Sequence, residues 1–354
     1  MVTLHRLFGR RTRTIAVLIG IVGLTFGSVA LADTDDVADF FRGRTLTAYA
    51  GSAPGGGIDF FTRLVANHMG KYIPGEPNIV VDFMPGAGTV VLSNYLYNTA
   101  PADGTEFGLV SQNVGFTELL RDPGVRYSSQ EYTWLGAVFE EPNLCVAQAA
   151  FATDAITVFQ QPEVPVIIGA TGRGSATYIV AALAQDLLGL SNARIIPGYP
   201  GTSDLFLALE RGEVDAACVT IGTVLSNFSH LLESGVIAPV MLAGIQRHPD
   251  FPELPTWLEL LGEDHPNYQI LEAATLPTVM GRPFIAPPGI PAARAAALQD
   301  AFLLALQDPD LLAEAAQAGI EIDPKSGADV QAVIERMFAL SDDDIARLTA
   351  ILAD

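Results

Sequence analysis

The sequence predicts an α/β protein with mainly parallel sheets in two domains. Short β-branched runs alternate with helical stretches along most of the chain, which is typical of parallel strands joined by helices. At 354 residues the chain is long enough for two domains with cores of their own. Glycine-rich turns follow three of the predicted strands, at the strand ends where open parallel sheets bind ligands.

The first 32 residues have the composition of a cleavable secretory signal. They contain four arginines and no acidic residue, then an apolar stretch, and they end in Ala30-Leu31-Ala32. Cleavage is expected before Asp33. A single membrane anchor is the alternative, since residues 15–32 are 18 long, but the small-residue ending and the acidic residues that follow favour a signal.

The charge of the chain limits its partners. The formal net charge is −21, and loss of the signal would leave 15 basic residues against 40 acidic ones. Such a field repels nucleic acid and anionic lipid surfaces, so neither is expected as a partner. An anionic ligand would have to be held by local dipoles against this field.

Predicted strands follow one another along the chain after residue 32. Amphipathic stretches such as 179–188 lie between them, with apolar residues on one helical face. Proline-rich connectors at 249–255 and 283–291 come next, and from Ala292 onward the sequence is alanine- and leucine-rich helix. The predicted strands are Leu46–Ala50, Ile79–Phe83, Phe107–Val110, Val164–Gly169, Arg194–Pro197, Val214–Thr220 and Val236–Gly244.

The first glycine-rich turn, Gly55-Gly56-Gly57, lacks Cβ atoms at three consecutive positions before a predicted helix. A ligand can therefore approach the main chain closely, and unpaired N–H groups at the helix start form an anion-binding geometry. Asp59 is predicted either as the N-cap of this helix or as a contact to a cation, hydroxyl or bridging water of the ligand.

Two further turns repeat this arrangement. Pro85-Gly86-Ala87-Gly88-Thr89 follows one strand, and Thr171-Gly172-Arg173-Gly174-Ser175 follows another, with Thr177 two residues on. Their hydroxyls and main-chain N–H groups suit a carboxylate. Both turns lack the third glycine of a dinucleotide fingerprint, so no nucleotide cofactor is expected. Arg173 would either clamp a second acidic group of the ligand or point to solvent.

Enzymatic chemistry has no recognisable motif in the sequence. The histidines lack metal-ligand spacing, and no nucleophile elbow, Walker loop or calcium loop occurs. Neither a metal site nor a catalytic residue is therefore predicted.

Cys145 and Cys218 are the two cysteines of the chain. In an oxidising compartment they could pair, and closing a loop of this length would stabilise the fold by about 4 kcal/mol in the chain-entropy model. Two buried free thiols are the alternative, and the sequence leaves both open.

Six motifs stand in a fixed order along the chain: Pro54–Asp59 with Arg63, Pro85–Gly88, Pro101–Thr105, Gly169–Ser175, Gly198–Thr202 with Leu209–Asp215, and Ala286–Pro291. In this order they resemble the extracytoplasmic solute receptors of tripartite tricarboxylate transporters, also called the Bug family. Together they span nearly all of the chain after residue 32. Their order is more specific than any one of them.

This resemblance implies a bilobal periplasmic-binding-protein fold, with two mainly parallel-sheet lobes around a ligand cleft. It divides the chain into the signal (1–32), a first lobe (33–139 and 238–354, with C-terminal helices) and a second lobe (140–237). It also implies a periplasmic monomer that captures a small carboxylate without a cofactor. The protein would close over the ligand by hinge motion and deliver it to membrane permease subunits.

Carrying over the family's binding mode by position predicts contacts from both lobes. Ile58 stands where many relatives carry Ser or Thr, which makes that rim apolar. Tyr199 and Asp204 lie in a tract that differs from the common Pro-Tyr-Lys-Gly form, so they are expected either to select the ligand or to pack structurally. The contacts transferred by position are Gly56, Gly57, Ile58, Asp59, Gly86, Ala87 and Gly88 in the first lobe and Thr171, Gly174, Ser175 and Thr177 in the second.

Two other functions compete with transport. An exported enzyme could use the glycine-rich turns as an oxyanion site, with Asp59 or Asp204 as its acid or base. A sensory module for a membrane signalling protein would share both fold and site. The sequence leaves open which acid binds, and it predicts that Ser175→Ala with Thr177→Val weakens binding with stability nearly unchanged.

Overall fold

The computed structural model describes residues 34–149, 165–172 and 175–353; the predicted signal, Arg173 and Gly174 lie outside them. The described strands are Thr45–Ala50 (β1), Asn78–Phe83 (β2), Glu106–Leu109 (β3), Thr133–Phe139 (β4), Asn143–Gln148 (β5), Val166–Ala170 (β6), Ala193–Pro197 (β7), Ala216–Thr220 (β8), Ile237–Ala243 (β9), Gly281–Ala286 (β10) and Lys325–Ser326 (β11).

Helices cover both sheets. Before β9 they are Thr34–Phe41 (α1), Gly57–Met69 (α2), Val90–Asn98 (α3), Val114–Leu119 (α4), Ala176–Leu187 (α5), Thr202–Glu210 (α6), Ile221–Asn227 (α7) and Ser229–Glu233 (α8). After β9 they are Trp257–Leu261 (α9), Tyr268–Thr275 (α10), Ala292–Ala305 (α11), Pro309–Gln317 (α12), Gly327–Met337 (α13) and Asp342–Ala353 (α14). No helix among the described residues is both long and apolar enough to cross a membrane.

Within the described residues the strands form two sheets. The first has the order β11-β4-β10-β3-β1-β2, and the second has the order β7-β6-β8-β5-β9. Each contains a parallel block of three strands, β2-β1-β3 or β7-β6-β8. The remaining strands join these blocks in antiparallel pairings. The predicted α/β fold with two parallel-rich sheets is confirmed.

All seven predicted strands are present, with ends within two residues of the prediction. The sequence analysis missed β4, β5, β10 and the short β11. β4 and β5 are buried along almost their whole length, so they lack the alternation of apolar and polar residues that marks a half-exposed strand.

The two connections between the sheets join their carboxyl edges. β4 runs parallel to β1, and β5 runs antiparallel to β8, so the chain leaves one carboxyl edge at Phe139 and enters the other at Asn143. Four residue steps span at most about 14 Å. The return connection also joins the two carboxyl edges, because β9 ends beside Asn143 and β10 begins beside Phe139. Both sets of strand-end turns therefore lie on the side where the sheets are connected.

Strand β9 pairs with β5 in the second sheet, so that sheet continues past residue 237, where the predicted second lobe ends. The C-terminal helix α14 packs on α5, which follows β6 of the same sheet. Arg347 Nη2 lies 3.0 Å from Asp186 Oδ1, and its Nη1 donates to Asn267 Oδ1. These contacts place the end of the chain against the second sheet.

Cys145 and Cys218 form a disulfide bond, which settles the alternative that the sequence left open. They are directly opposite each other on the antiparallel strands β5 and β8, with Cα atoms 4.0 Å apart. The bond links the parallel block of the second sheet to the strand that enters from the first sheet.

Candidate ligand-binding site

The turn after β1 presents main-chain N–H groups to solvent. Helix α2 begins at Gly57, with Gly56 as an N-cap that makes no side-chain hydrogen bond. Gly55, Gly56 and Gly57 are exposed. Within the described part of the chain, no acceptor bonds the N–H groups of Gly56, Gly57 and Ile58. These are the unpaired donors of a helix start, on which an anion is stabilised.

Asp59 is not the N-cap that the sequence analysis considered. It occupies the third position of α2, and its carboxylate reaches back to accept from the Gly55 N–H at 2.7 Å. Its other oxygen accepts from Arg63 Nε at 2.6 Å, and the residue is buried. One carboxylate oxygen therefore holds the glycine turn and the other holds Arg63, so both oxygens of Asp59 have structural partners.

Ile58 is half-buried and packs against the core that β1, α2 and α11 share. Its carbonyl accepts from the Thr62 hydroxyl at 2.7 Å. Its side chain thus anchors the first turn of α2, while its N–H remains among the unpaired donors.

The turn after β2 has an unusual backbone. Gly86, Ala87, Gly88 and Thr89 all have positive φ, at 147°, 45°, 60° and 80°. Alanine and threonine rarely adopt this region, and such strain costs on the order of 1 kcal/mol per residue. Ala87 and Gly88 are exposed, and no acceptor among the described residues bonds their N–H groups. Strain of this kind, held by the surrounding structure, is typical of ligand-binding turns.

Thr89 ties the strand-end turns of the first sheet together. Its buried hydroxyl accepts from the Ser111 N–H, in the turn after β3, at 3.0 Å. A Cβ on Gly51 would lie 2.7 Å from Thr89 Cγ2, so only glycine fits beneath it. The turns after β1, β2 and β3 are therefore packed against one another at one edge.

A half-buried ion pair that the sequence analysis missed lies next to the first turn. Arg282, at the start of β10, donates from Nη1 and Nη2 to the two carboxylate oxygens of Glu141, at 3.0 and 3.2 Å. Its Nη2 comes within 3.7 Å of the position that a Cβ on Gly57 would occupy. Glu141 lies on the short connection between the sheets, and Arg282 lies in β10 directly after the return connection.

Arg282 is held at some energetic cost. Its φ of 55° lies in the left-handed region, and its Nε is buried with no hydrogen-bond partner. The guanidinium lies near the rings of Phe61 and Phe139. Burial raises the pKa of the Glu141 carboxyl, and the charge of Arg282 offsets only part of that rise.

In the second sheet, the hydroxyls of the third turn bond to one another. Ser175 is the N-cap of α5, accepting from the Tyr178 N–H, and its Oγ lies 2.7 Å from Thr177 Oγ1. The Thr177 hydroxyl also accepts from the Thr171 N–H at 2.9 Å. The predicted closing contacts thus have structural partners already; Gly174 lies outside the described residues.

The double variant Ser175→Ala with Thr177→Val is therefore expected to lose about 2 kcal/mol of unfolding free energy, contrary to the sequence-based expectation of unchanged stability. The loss combines an N-cap and a buried hydroxyl bond. Urea unfolding measures it. Thr202→Val with Ser203→Ala is the matched control, because α6 has the glycine cap Gly201 and no side-chain cap bond. Equal stability of the two double variants would contradict the structural role.

Tyr199 and Asp204 occupy different environments. Tyr199 is half-buried against the core that contains Leu205 and Phe206, and this burial raises the pKa of its hydroxyl. Asp204 is exposed in the first turn of α6. Packing accounts for the position of Tyr199, and no contact among the described residues connects Asp204 with the turns of the first sheet.

A profile of the tripartite tricarboxylate transporter family receptor matches residues 61–351. A Pseudomonas sp. (strain P51) protein, described as the UPF0065 protein in the tcbD-tcbE intergenic region, is 25% identical over 289 residues, covering 80% of each chain. A TctC solute-binding protein from Polaromonas, solved without ligand, superposes with a TM-score of 0.69 at 18% identity, over 88% of this chain and 98% of that one.

MatC from Rhodopseudomonas palustris, solved with bound malate, superposes with a TM-score of 0.54 at 21% identity, over 87% of this chain and 99% of that one. These folds agree with the bilobal architecture expected from the motifs. On the match of the family profile to most of its length, the chain belongs to the tripartite tricarboxylate transporter receptors, a family of solute-binding receptors and not of enzymes.

Proposed function

We propose that the protein captures a small carboxylate between the carboxyl edges of its two sheets and delivers it to a membrane permease. The observation that carries this proposal is the set of unpaired N–H groups at Gly56, Gly57, Ala87 and Gly88, on turns that follow two adjacent strands. A carboxylate oxygen accepts such donors in charge-assisted bonds of about 1.5 to 3 kcal/mol each. That MatC is solved with malate supports the ligand class.

Arg282 gives this site a local cation in a strongly acidic protein. The chain carries 40 acidic residues against 19 basic ones, so the long-range field opposes the approach of an anion. A guanidinium beside Gly57, together with helix-start dipoles, acts at short range where screening is weak. Glu141 neutralises part of that charge, so the attraction of the site for an anion is weaker than that of a free guanidinium.

Closure of the protein follows from the same geometry. Among the described residues, the strands of the two sheets are connected at their carboxyl edges, by 140–142 and by the longer segment 244–280, and the chain crosses between the sheets again from α13 to α14. A ligand favours the closed form only through contacts that both lobes make with it. We infer a hinge at these connections, with the signal removed before Asp33, the mature protein in the periplasm, and the permease as the partner that receives the ligand.

Gly56→Leu tests the main-chain site. At Gly56 φ is −101°, and a Cβ would meet no atom within 4 Å, so the fold should tolerate a side chain there. The leucine would instead occupy the space through which a carboxylate reaches the turn. We expect affinity to fall about tenfold or more, equivalent to about 1.4 kcal/mol, with an unchanged melting temperature.

The measurement is a thermal-shift screen of organic acids followed by calorimetry on the acids that stabilise the protein. Ala332→Leu is the control, since it adds the same side chain to an exposed position on α13. A wild-type protein indifferent to every organic acid would contradict the proposed function. Equal affinity of the Gly56→Leu variant would remove the first turn from the site.

A further inference from the structure

Asn143 is a buried polar residue whose side-chain amide has no partner. The residue is 4% exposed, and its Oδ1 is buried without a hydrogen bond. No described residue bonds its Nδ2 either. Leaving a buried acceptor unpaired costs free energy that a well-packed apolar residue would avoid, so such a group indicates a role other than stability.

The position of Asn143 relates this amide to the proposed site. It is the first residue of β5, directly after the short connection from the first sheet. Its register partners are Thr220 and Ala243, the last residues of β8 and β9, so it lies at the carboxyl edge of the second sheet. Two residues before Asn143, on the connection itself, Glu141 forms the ion pair with Arg282 beside the first glycine turn.

Strand alternation places the Asn143 side chain on one face of the sheet. Residues two apart on a strand share a face, so Asn143 lies with Cys145 and Ala147. Those two residues belong to the core that includes Val180 and Leu183 of α5. The amide is therefore on the face covered by α5, the helix that begins at the third glycine-rich turn.

Gln112 provides a second unpaired amide oxygen, at the other carboxyl edge. Its Oε1 is buried without a partner, in the turn between β3 and α4. The preceding residue, Ser111, donates its N–H to Thr89 of the second turn. The carboxyl edge of each sheet thus has one amide whose buried oxygen accepts no hydrogen bond from the described residues.

A carboxylate cannot supply that donor, since its oxygens only accept. A hydroxyl can donate to Oδ1 and accept from Nδ2 at once, whereas an ammonium group only donates and leaves the amide nitrogen unpaired. On the basis of the proposed carboxylate-receptor function, we propose that the ligand is a hydroxy acid and that Asn143 selects it by bonding the hydroxyl. The main-chain turns hold the carboxylate, and Asn143 discriminates hydroxylated from unsubstituted acids.

Calorimetry with matched acids tests this selection. Three pairs differ by one hydroxyl: malate and succinate, citrate and propane-1,2,3-tricarboxylate, and 3-phenyllactate and 3-phenylpropionate. For the carbon skeleton that binds, we expect the hydroxy acid to bind about tenfold or more tighter to the wild-type protein. In Asn143→Leu this preference should disappear, while affinity for the unsubstituted acid stays within about threefold of wild type.

The controls separate selection from folding. Asn143→Leu should melt at or above the wild-type temperature, because it removes an unpaired buried group; if it does not fold, Asn143→Ala takes its place. Asn78→Leu makes the same change at the start of β2, the edge opposite the turns, and should keep the preference. Binding without hydroxyl preference in the wild type, or a preference that survives in the Asn143 variants, overturns this inference and leaves the receptor function standing. Failure of the wild type to bind any organic acid overturns both.

Discussion

Arg282→Met is expected to lower the free energy of unfolding by about 3 kcal/mol at pH 8, because it leaves Glu141 as an unpaired, half-buried carboxylate. The loss should shrink at pH 5.5. Burial already raises the pKa of Glu141, and removal of the guanidinium raises it further. A raised folded-state pKa contributes stability that is present below the unfolded value and lost as pH rises, so the variant should weaken between pH 5.5 and pH 8.

Urea unfolding at both pH values measures this effect. Glu141→Gln in the Arg282→Met background should abolish the added pH dependence and recover most of the stability, since an apolar and neutral pair needs no charge compensation. A pH-independent loss in Arg282→Met would show that packing over Phe61 and Phe139, and not the ion pair, is what the arginine supplies.

The same variants separate the stability role of Arg282 from its role at the ligand. Arg282→Met, alone or with Glu141→Gln, should weaken carboxylate binding about tenfold, because the cation beside Gly57 is gone. Glu141→Gln alone should leave affinity unchanged or raise it, since the guanidinium remains and its neutralising partner is lost. Wild-type affinity in the double variant would exclude Arg282 from the site.

Replacing both cysteines with alanine is expected to lower the free energy of unfolding by about 4 kcal/mol. The disulfide joins residues with a sequence separation of 73. While the bond is intact it lowers the conformational entropy of the unfolded chain, and this stabilises the folded state. Binding at 25 °C should persist, because both residues are buried within the second sheet and neither is among the proposed ligand contacts.

Reduced wild-type protein is the matched control for the disulfide. If Cys145→Ala with Cys218→Ala and the reduced wild type unfold at the same urea concentration, the loss belongs to the bond and not to the small cavities left by alanine. Unfolding of the oxidised wild type at that same concentration would contradict a stabilising disulfide.

The local sequence pattern was sufficient to predict the strands in the parallel blocks of both sheets. Runs such as Ile79–Phe83 and Arg194–Pro197 are short, β-branched and bounded by turn residues, and each is followed by a helix of clear period. The antiparallel strands were less visible. β4 and β5 are apolar on both faces, and only their pairing partners, more than a hundred residues away for β4 and β10, identify them as strands.

Glycine chemistry also made the first two turns predictable, because a run of residues without Cβ atoms before a helix has few structural solutions. Side-chain roles within the turns were not. For Asp59 the sequence left an N-cap role or a ligand contact open, and in the structure its carboxylate reaches back to the Gly55 N–H and across to Arg63. The choice depended on where α2 begins, and helix ends are poorly determined by sequence.

The sequence by itself determined the class of this protein. The order of strands and helices, the glycine turns at strand ends and the six ordered motifs can all be recognised from residues that are neighbours in the sequence. Tertiary structure decided which charges and amides meet at the connections. Arg282 and Glu141 are 141 positions apart, and nothing near either residue signals the other. Asn143 is ordinary in sequence and becomes informative only when folding buries its amide without a partner, since desolvation is a property of the assembled edge and not of the residue.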